Sequence, residues 1–509
     1  MFSYSKFEHQ TKKVFHNHEI PVSKEFRVIV NGTEVPVYTC RISKESFNRG
    51  WPGYQRAINQ TVEASYVNLV SDEELNIEVI TDTQYERCFV KPYSKEVKTQ
   101  TVDGKICFTI KENGQYALEL DSHYHCLYIF NSKPYTCEEP EKVTHYFGPG
   151  IYATGKICLK DNDVVYVDKD AYVYGCLLAD NVKNVRVYGN GIFDNSGEER
   201  FDGPMVEMTN GNFRFYNSKN VTVQGVGFTN SPFWCVAMFG CYDILLDNIK
   251  VFGQWKYNTD GIDICNSQRV TVKNTFVQAF DDVLVIKGMD RYWDEERTLH
   301  YPTIDNKDIL VENCVFWCDW GRTIEFGFET ACREYKDIVI RNIDILRSCQ
   351  AVISFHNGEC AEMHDIVLED IRVEYESFHT LSQIQATEES VYTFYDQIMD
   401  SRLLDLNDDR YRKYWGKIGA LRPLPDIDLS GIEYGSVHDI LIKNVKVYYD
   451  ERIPLKDGKY NVPIEVYKVV PEIKFYNVTL ENVTINGKRL DEKSALFINA
   501  DMMDNLRLI

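Results

Sequence analysis

From about Pro134 onward the chain repeats one phrase: a polar residue, then alternating apolar and polar positions rich in β-branched residues, then an Asn or a turn, then a further apolar run. Copies begin at Asn184, Asn220, Asp243, Arg269, Asp308, Asp337, Asp365, Asp439 and Asn477, as in Asp243-Ile-Leu-Leu-Asp-Asn-Ile and Asp337-Ile-Val-Ile-Arg-Asn-Ile. Alternation with period two is the pattern of a half-buried strand. Several successive copies lie 23, 26, 29 and 28 residues apart. Repeats this short, built from strands with no helix between them, predict a parallel β-helix, in which only the stack of coils encloses a core. The sixth position of the phrase is Asn at 248, 274, 313, 342 and 444. A corner Asn tolerates the left-handed backbone conformation and can pass side-chain hydrogen bonds along the stack, so these residues are given a structural role.

Before Pro134 the pattern differs. Short strand-like runs (Phe26-Arg-Val-Ile-Val, Val35-Pro-Val-Tyr, Leu75-Asn-Ile-Glu-Val-Ile, Lys105-Ile-Cys-Phe-Thr-Ile, Tyr116-Ala-Leu-Glu-Leu, Leu127-Tyr-Ile-Phe) are separated by Asn31-Gly32, Asp103-Gly104 and Asn113-Gly114. Such dipeptides suit tight hairpins, which predicts an antiparallel β-sandwich. The fold class is therefore all-β: a sandwich over 1–140 and a right-handed parallel β-helix over 141–509, with a long insertion at about 377–436. The sandwich is assigned a packing role against the β-helix in preference to independent sugar binding. The insertion carries helix-compatible stretches at Ser390–Leu406 and Arg410–Ile418. Together with the shorter excursion Asp290–Asn306, it either walls a cleft or makes a contact between subunits of a homo-oligomer.

A length of 509 residues with 44% hydrophobic and 13% aromatic residues is that of an ordinary folded chain, and no apolar run reaches 18 residues. No membrane partner is expected. The net charge of −21 argues against nucleic acid, whose phosphates are bound through Lys and Arg. The first ten residues lack a basic head and apolar core, and fifteen cysteines occur without a CxxC pair. Both features give the expectation of a cytoplasmic protein with unpaired thiols.

Candidate chemistry concentrates between Tyr257 and Gly288. Asp260 precedes the pair Asp281-Asp282 by 21 residues, about one repeat, and none of the three occupies the corner position of Asp243, Asp308, Asp337, Asp365 or Asp439. Coils stack about 4.7–4.9 Å apart, which makes these carboxylates neighbours. Clustered carboxylates raise one another's pKa, so that one serves as an acid while another remains a base, the division of labour that glycoside hydrolysis requires. Asp263 shares the outer face as a reserve candidate.

The set Asn258-Thr259-Asp260-Gly261, Asp281-Asp282 and Ile286-Lys287-Gly288 resembles the motifs of glycoside hydrolase family 28, the polygalacturonases and their relatives. That resemblance implies a right-handed parallel β-helix and inverting hydrolysis, with Asp281 as general acid and Asp260 and Asp282 holding the nucleophilic water. The Gly-His-Gly and Arg-Ile-Lys motifs of polygalacturonases do not follow. In their place stand Trp320-Gly-Arg-Thr-Ile-Glu-Phe-Gly-Phe-Glu329 and Ile353-Ser-Phe-His-Asn-Gly358. The leading β-sandwich and the Phe-Gly segment look more like family 49, the dextranases and isopullulanases. The expected partner is an oligosaccharide of undefined sugar.

Among further candidates for sugar contact, Asn258 belongs to the motif itself, Lys287 either binds a hydroxyl or supports an aspartate, and Arg322, Glu329 and His356 line the following coils. Trp255 and Trp320 are candidate stacking platforms, since sugar rings pack on aromatic faces. The histidines lack metal-ligand spacing, so no metal or cofactor is assigned. Two rival readings stand beside hydrolysis: a polysaccharide lyase working by β-elimination, and a non-catalytic carbohydrate-binding β-helix.

Overall fold

The structure is a computed structural model, and it describes residues 2–8, 20–43, 61–198, 211–289, 304–357, 361–375, 402–408, 435–451, 453, 455–467 and 474–509. From His145–Phe147 to Asp504–Leu508 the strands form one 29-stranded array whose coils pair in parallel with the next. One coil comprises Tyr242–Asp247, Lys250–Phe252 and Ile262–Cys265, and the next comprises Gln268–Lys273, Phe276–Ala279 and Leu284–Gly288. Each strand pairs with its counterpart one coil on. This is a parallel β-helix.

Alternation sets what each strand buries. Ile244, Leu246, Val251, Ile262 and Ile264 point inward, Val270, Val272, Val277, Leu284 and Ile286 stack on them, and Ile309, Val311, Phe316, Ile324 and Phe326 continue the column. Each such side chain contributes about 1.5–3 kcal/mol when fully buried. A single coil would expose half of its apolar set at either end, so stability belongs to the stack.

The corners confirm the left-handed role of the repeat Asn. Asn248, Asn274, Asn313, Asn342 and Asn444 all have φ between 54° and 57°. Their carboxamides bridge coils, as in Asn342 Nδ2 to Asn313 Oδ1 (2.6 Å) and Asn482 Nδ2 to Asn444 Oδ1 (2.9 Å). The first residue of the phrase is left-handed too, from Asn184 (φ 59°) through Asp243 (58°) to Asn477 (54°), and even Arg269 (54°) conforms. This second ladder is linked at Asn220 to Asn184 (2.8 Å) and Arg269 to Asp243 (2.6 Å).

The N-terminal region forms two sheets, one of six strands and one of five. Three expectations need correction there. Strand Thr61–Val70, which pairs with Ser122–Ser132 and Tyr38–Ser43, was not expected, because Glu63, Ser65 and Asn68 interrupt its apolar run. Its pairing with Ser122–Ser132 is parallel, so the sandwich is not purely antiparallel; the connection between the two strands passes through the other sheet. Asn113-Gly114 does not close a hairpin either, since Lys105–Ile110 and Gly114–Leu120 lie in different sheets.

A third core fixes this region against the β-helix. Tyr66 meets Phe252 (ring centroids 4.9 Å), Phe130 meets Phe276 (5.2 Å) and Tyr128 meets Trp317 edge-on (5.6 Å). Buried Lys91 pairs with Glu119 at 2.9 Å and with Glu374 of the β-helix at 3.4 Å. These contacts brace strand Phe276–Ala279, which leads directly into Asp281.

The interval expected as an insertion at 377–436 contains a coil strand. Arg402–Asp408 pairs with Ala351–Asn357 and Ile464–Tyr467, which removes 402–406 from the expected helical stretch. Leu403 and Leu404 are buried by neighbouring coils, and that packing outweighs local helical preference. The remainder of Ser390–Leu406, all of Arg410–Ile418 and most of Asp290–Asn306 lie outside the described residues.

Candidate active site

Asp260 closes the segment that enters strand Ile262–Cys265, and Asp281-Asp282 occupy the bend before Leu284–Gly288. The coil-to-coil bonds Gly261 N to Asp282 O (2.8 Å) and Ile262 N to Val283 O (2.9 Å) set Asp260 beside Asp282. The Asp281 amide faces Thr259 O at 3.4 Å. Repeat spacing thus brings the three aspartates together, with the second of the pair as the direct neighbour of Asp260. On the next coil the Arg322 amide donates to Asp282 Oδ1 at 2.8 Å, orienting that carboxylate. Asn258 Nδ2 donates to Asp281 Oδ2 at 3.2 Å.

Two glycines permit this closeness. A Cβ at Gly321 would lie 2.5 Å from the Asp281 carbonyl carbon and 2.6 Å from Asp281 Oδ1. One at Gly261 would lie 2.4 Å from Val283 O.

The electrostatics follow from burial. Asp260 and Asp281 are pushed well above the usual carboxylate range, first by desolvation and then by neighbouring aspartates, Asp282 being the largest such neighbour for Asp281. Asp282 is raised as well, by burial and by Glu325, while Arg322 and Lys287 pull it back. Lys287 Nζ lies 3.3 Å from Asp260 Oδ2, 3.5 Å from Asp263 Oδ1, 3.7 Å from Glu329 Oε2 and 3.8 Å from the centroid of the Trp234 ring. Burial alone would lower its pKa, but Glu329, Asp260 and Asp263 outweigh that and hold the ammonium charged. Lys287 therefore supports the aspartates directly.

Asp263 is fully buried and is raised to about 7, chiefly by burial, with Lys287 opposing. It begins an outward row. Strand register carries Asp263 to Val285, then to Glu325, Ser354, Asp405 and Glu465, one residue per coil. Glu325, Ser354 and Asp405 were not singled out from the sequence, although all three are at most 2% exposed. The signal was present: Ile324 and Phe326 point into the core, so Glu325 must face outward in line with Asp263. Burial raises Glu325 to about 7 against the pull of Arg322 and the Ser354 hydroxyl. Arg322 Nε and His356 Nδ1 approach its two oxygens at 3.6 and 3.5 Å.

The remaining candidates divide. Arg322, Glu329 and His356 join the cluster through these contacts. Trp320 does not serve as an open platform: it is 7% exposed and stacks on Phe280 at 5.5 Å, with Tyr257 edge-on at 6.0 Å. Its Nε1 has no hydrogen-bond partner among the described residues. Trp255 is half-buried, with Lys256 Nζ 5.5 Å from the centroid of its ring. Among the described residues no group of three or more His, Cys, Asp or Glu side chains is arranged to hold a metal ion.

Fold and site together define a parallel β-helix protein with a buried carboxylate centre on one face of its coils. Comparison with known proteins places that class among carbohydrate-active relatives. Residues 149–292, which include all three aspartates, match the model of "Glycosyl hydrolases family 28". The chain is 27% identical over 157 residues to a probable rhamnogalacturonase A of Aspergillus oryzae, covering 31% of this chain and 30% of that protein. It is 24% identical over 232 residues to a dextranase of an Arthrobacter species, covering 40% and 32% respectively. The chain thus matches about a third of the length of these relatives. In fold it resembles Dex49A from Penicillium minioluteum over 99% of this chain and 98% of that one, with a TM-score of 0.59 and 12% identity. Sequence thus carries the resemblance to family 28 and to a dextranase, and fold carries the likeness to Dex49A.

Proposed function

We propose that the protein is an inverting glycoside hydrolase acting on oligosaccharides, with Asp281 as general acid and Asp260 and Asp282 activating water. The observation that carries this reading is the setting of three buried carboxylates on adjacent coils. Burial raises all three; Asp281 is raised further by Asp282 and has only the neutral Asn258 carboxamide as donor among the described residues, whereas Asp260 receives the Lys287 ammonium at 3.3 Å and Asp282 the Arg322 backbone amide at 2.8 Å. Donors aimed at a carboxylate favour its ionised form, which supports a division of the three into an acid and a base. Protonation of the glycosidic oxygen by Asp281 would let the bond break as water, deprotonated by the other pair, attacks the opposite face of the sugar.

A lyase would need a neutral base near the site. Lys287, surrounded by three carboxylates, stays charged, which favours hydrolysis over elimination. The relatives include a probable rhamnogalacturonase A and a dextranase, which supports a carbohydrate substrate. The fourteen described cysteines are all free thiols, in keeping with a cytoplasmic location.

The test is NMR of the first-formed anomer after cleavage of a panel of aryl glycosides and oligosaccharides. Hydrolysis with inverted configuration is expected. A retained anomer would remove the water-activating roles, and an unsaturated product would replace hydrolysis by elimination.

A further inference from the structure

The outward row beyond the aspartate cluster has no role in the chemistry above. Glu325 lies one coil past Asp281 and Asp282, is 1% exposed, and has no hydrogen-bond partner of normal geometry at either carboxylate oxygen among the described residues. Arg322 Nε at 3.6 Å and His356 Nδ1 at 3.5 Å lie farther than a normal hydrogen bond, and the Ser354 hydroxyl is close enough to draw its pKa down. Ser354 Oγ, next in the row, is buried without a partner of normal geometry as well. Buried acceptors in this condition are costly unless something donates to them.

The charge around Glu325 narrows what that donor can be. Asp263, Asp405 and Glu465 share its row, and Asp281 and Asp282 lie on the coil before. Two described cations of this face already have carboxylate partners: Lys287 has Asp260, Asp263 and Glu329, and Arg322 has Glu325 at the longer distance of 3.6 Å. A uronate would bring a further carboxylate into this acidic row. Sugar hydroxyls bring donors without charge, and carboxylate acceptors take them through charge-assisted bonds.

We infer that Glu325 is a specificity-determining residue that accepts hydroxyls of an uncharged sugar at the subsite one coil beyond the general acid, and that the row Asp263, Glu325 and Asp405 excludes uronates. This rests on the hydrolase reading and names the substrate class of the same site. Binding is its role, so loss of Glu325 should weaken substrate affinity more than the chemical step.

The experiment compares wild type, Glu325→Gln and Glu325→Asp on matched aryl glycosides of neutral hexoses or deoxyhexoses and of the corresponding uronic acids, with thermal unfolding recorded for each protein. Wild type is expected to prefer the neutral series. Glu325→Gln should raise KM on it about 10- to 100-fold with kcat changed only a few-fold, and should narrow the gap between neutral and acidic substrates. Glu325→Asp, which keeps the charge, should keep the exclusion of uronates and provides the readout if the Gln variant folds poorly. A wild-type preference for uronides would overturn the inference while leaving the hydrolase reading intact. So would a loss confined to kcat, or no change in either variant. Failure of the wild type to hydrolyse any glycoside would instead overturn the hydrolase reading itself.

Discussion

Aspartate does two different jobs on the same β-helix. At the corners, Asp243 adopts a left-handed backbone, stands partly in solvent and accepts the Arg269 guanidinium at 2.6 and 3.1 Å, which holds its carboxyl below the usual range. Asp439 is lowered in the same way, first by His438. In the bend before Leu284–Gly288, Asp281 is buried against Asp282 and pushed well above that range. One position offers solvent and a cation, while the other offers burial and a second carboxylate. Residue type therefore says little on a repeat protein, and location within the coil says most of it.

The sharpest way to break this contrast is to neutralise one aspartate of each kind. Asp281→Asn is expected to lower kcat by on the order of 10³-fold, the scale of a lost general acid, while leaving thermal stability unchanged or higher because a buried acid has been removed. Asp243→Asn should leave activity as it is and shift stability by no more than about 0.5 kcal/mol, since its ion pair is exposed. Steady-state kinetics and denaturant unfolding on the two variants check both halves. Equal activity in both would erase the distinction.

Lys287→Met sharpens the comparison next. The ammonium lowers Asp260, Asp263 and Asp282, and Asp281 as well. Its removal should raise their pKa values, so the base is ionised only at higher pH. The acid limb of the kcat/KM profile is expected to move to higher pH, with activity at neutral pH falling roughly 10²-fold. An unmoved acid limb would show that Lys287 serves packing against Trp234 instead. Smaller again is Gly321→Ala, whose Cβ would press within 2.6 Å of Asp281 Oδ1. Displacing that carboxylate should cost about tenfold in kcat and roughly 1–3 kcal/mol in stability. An Ala variant with full activity would mean that Asp281 tolerates displacement.

Much of this contrast was legible in the sequence because a β-helix writes its geometry as a period. The phrase beginning at Asp243 and Asp337 marks strands and corners, although the stack runs further at each end, at Val164–Val167 and Asp504–Leu508, and the offset of Asp260, Asp281 and Asp282 from those corners sets them apart. Sequence offered less where tertiary packing overrides local pattern. Thr61–Val70 is a central strand in spite of its polar interruptions, and Arg402–Asp408 is a coil strand because neighbouring coils bury Leu403 and Leu404. Glu325 and Asp405 were overlooked because their register with Asp263 spans intervals of unequal length. No pattern in the sequence shows that Phe280 covers the ring of Trp320.

The corners supply the smallest expected effect, and it separates two explanations of why Asn stands there. Asn342 has φ 54° and donates to Asn313 Oδ1 at 2.6 Å. Asn342→Ala removes the bond and also forces an alanine into the left-handed region, which costs about 1–2 kcal/mol for an ordinary L-residue. Asn342→Gly removes the same bond but tolerates the backbone. If the ladder acts mainly through backbone conformation, urea unfolding should show Ala destabilised by about 1–2 kcal/mol and Gly close to wild type. If the carboxamide bonds themselves carry the stability, both variants should fall together by about 0.5–1.5 kcal/mol. The first outcome is expected, because the left-handed φ also occurs at Arg269, a corner that has no carboxamide. Neither variant should alter kcat, since these corner residues lie apart from the carboxylates on which the proposed chemistry depends.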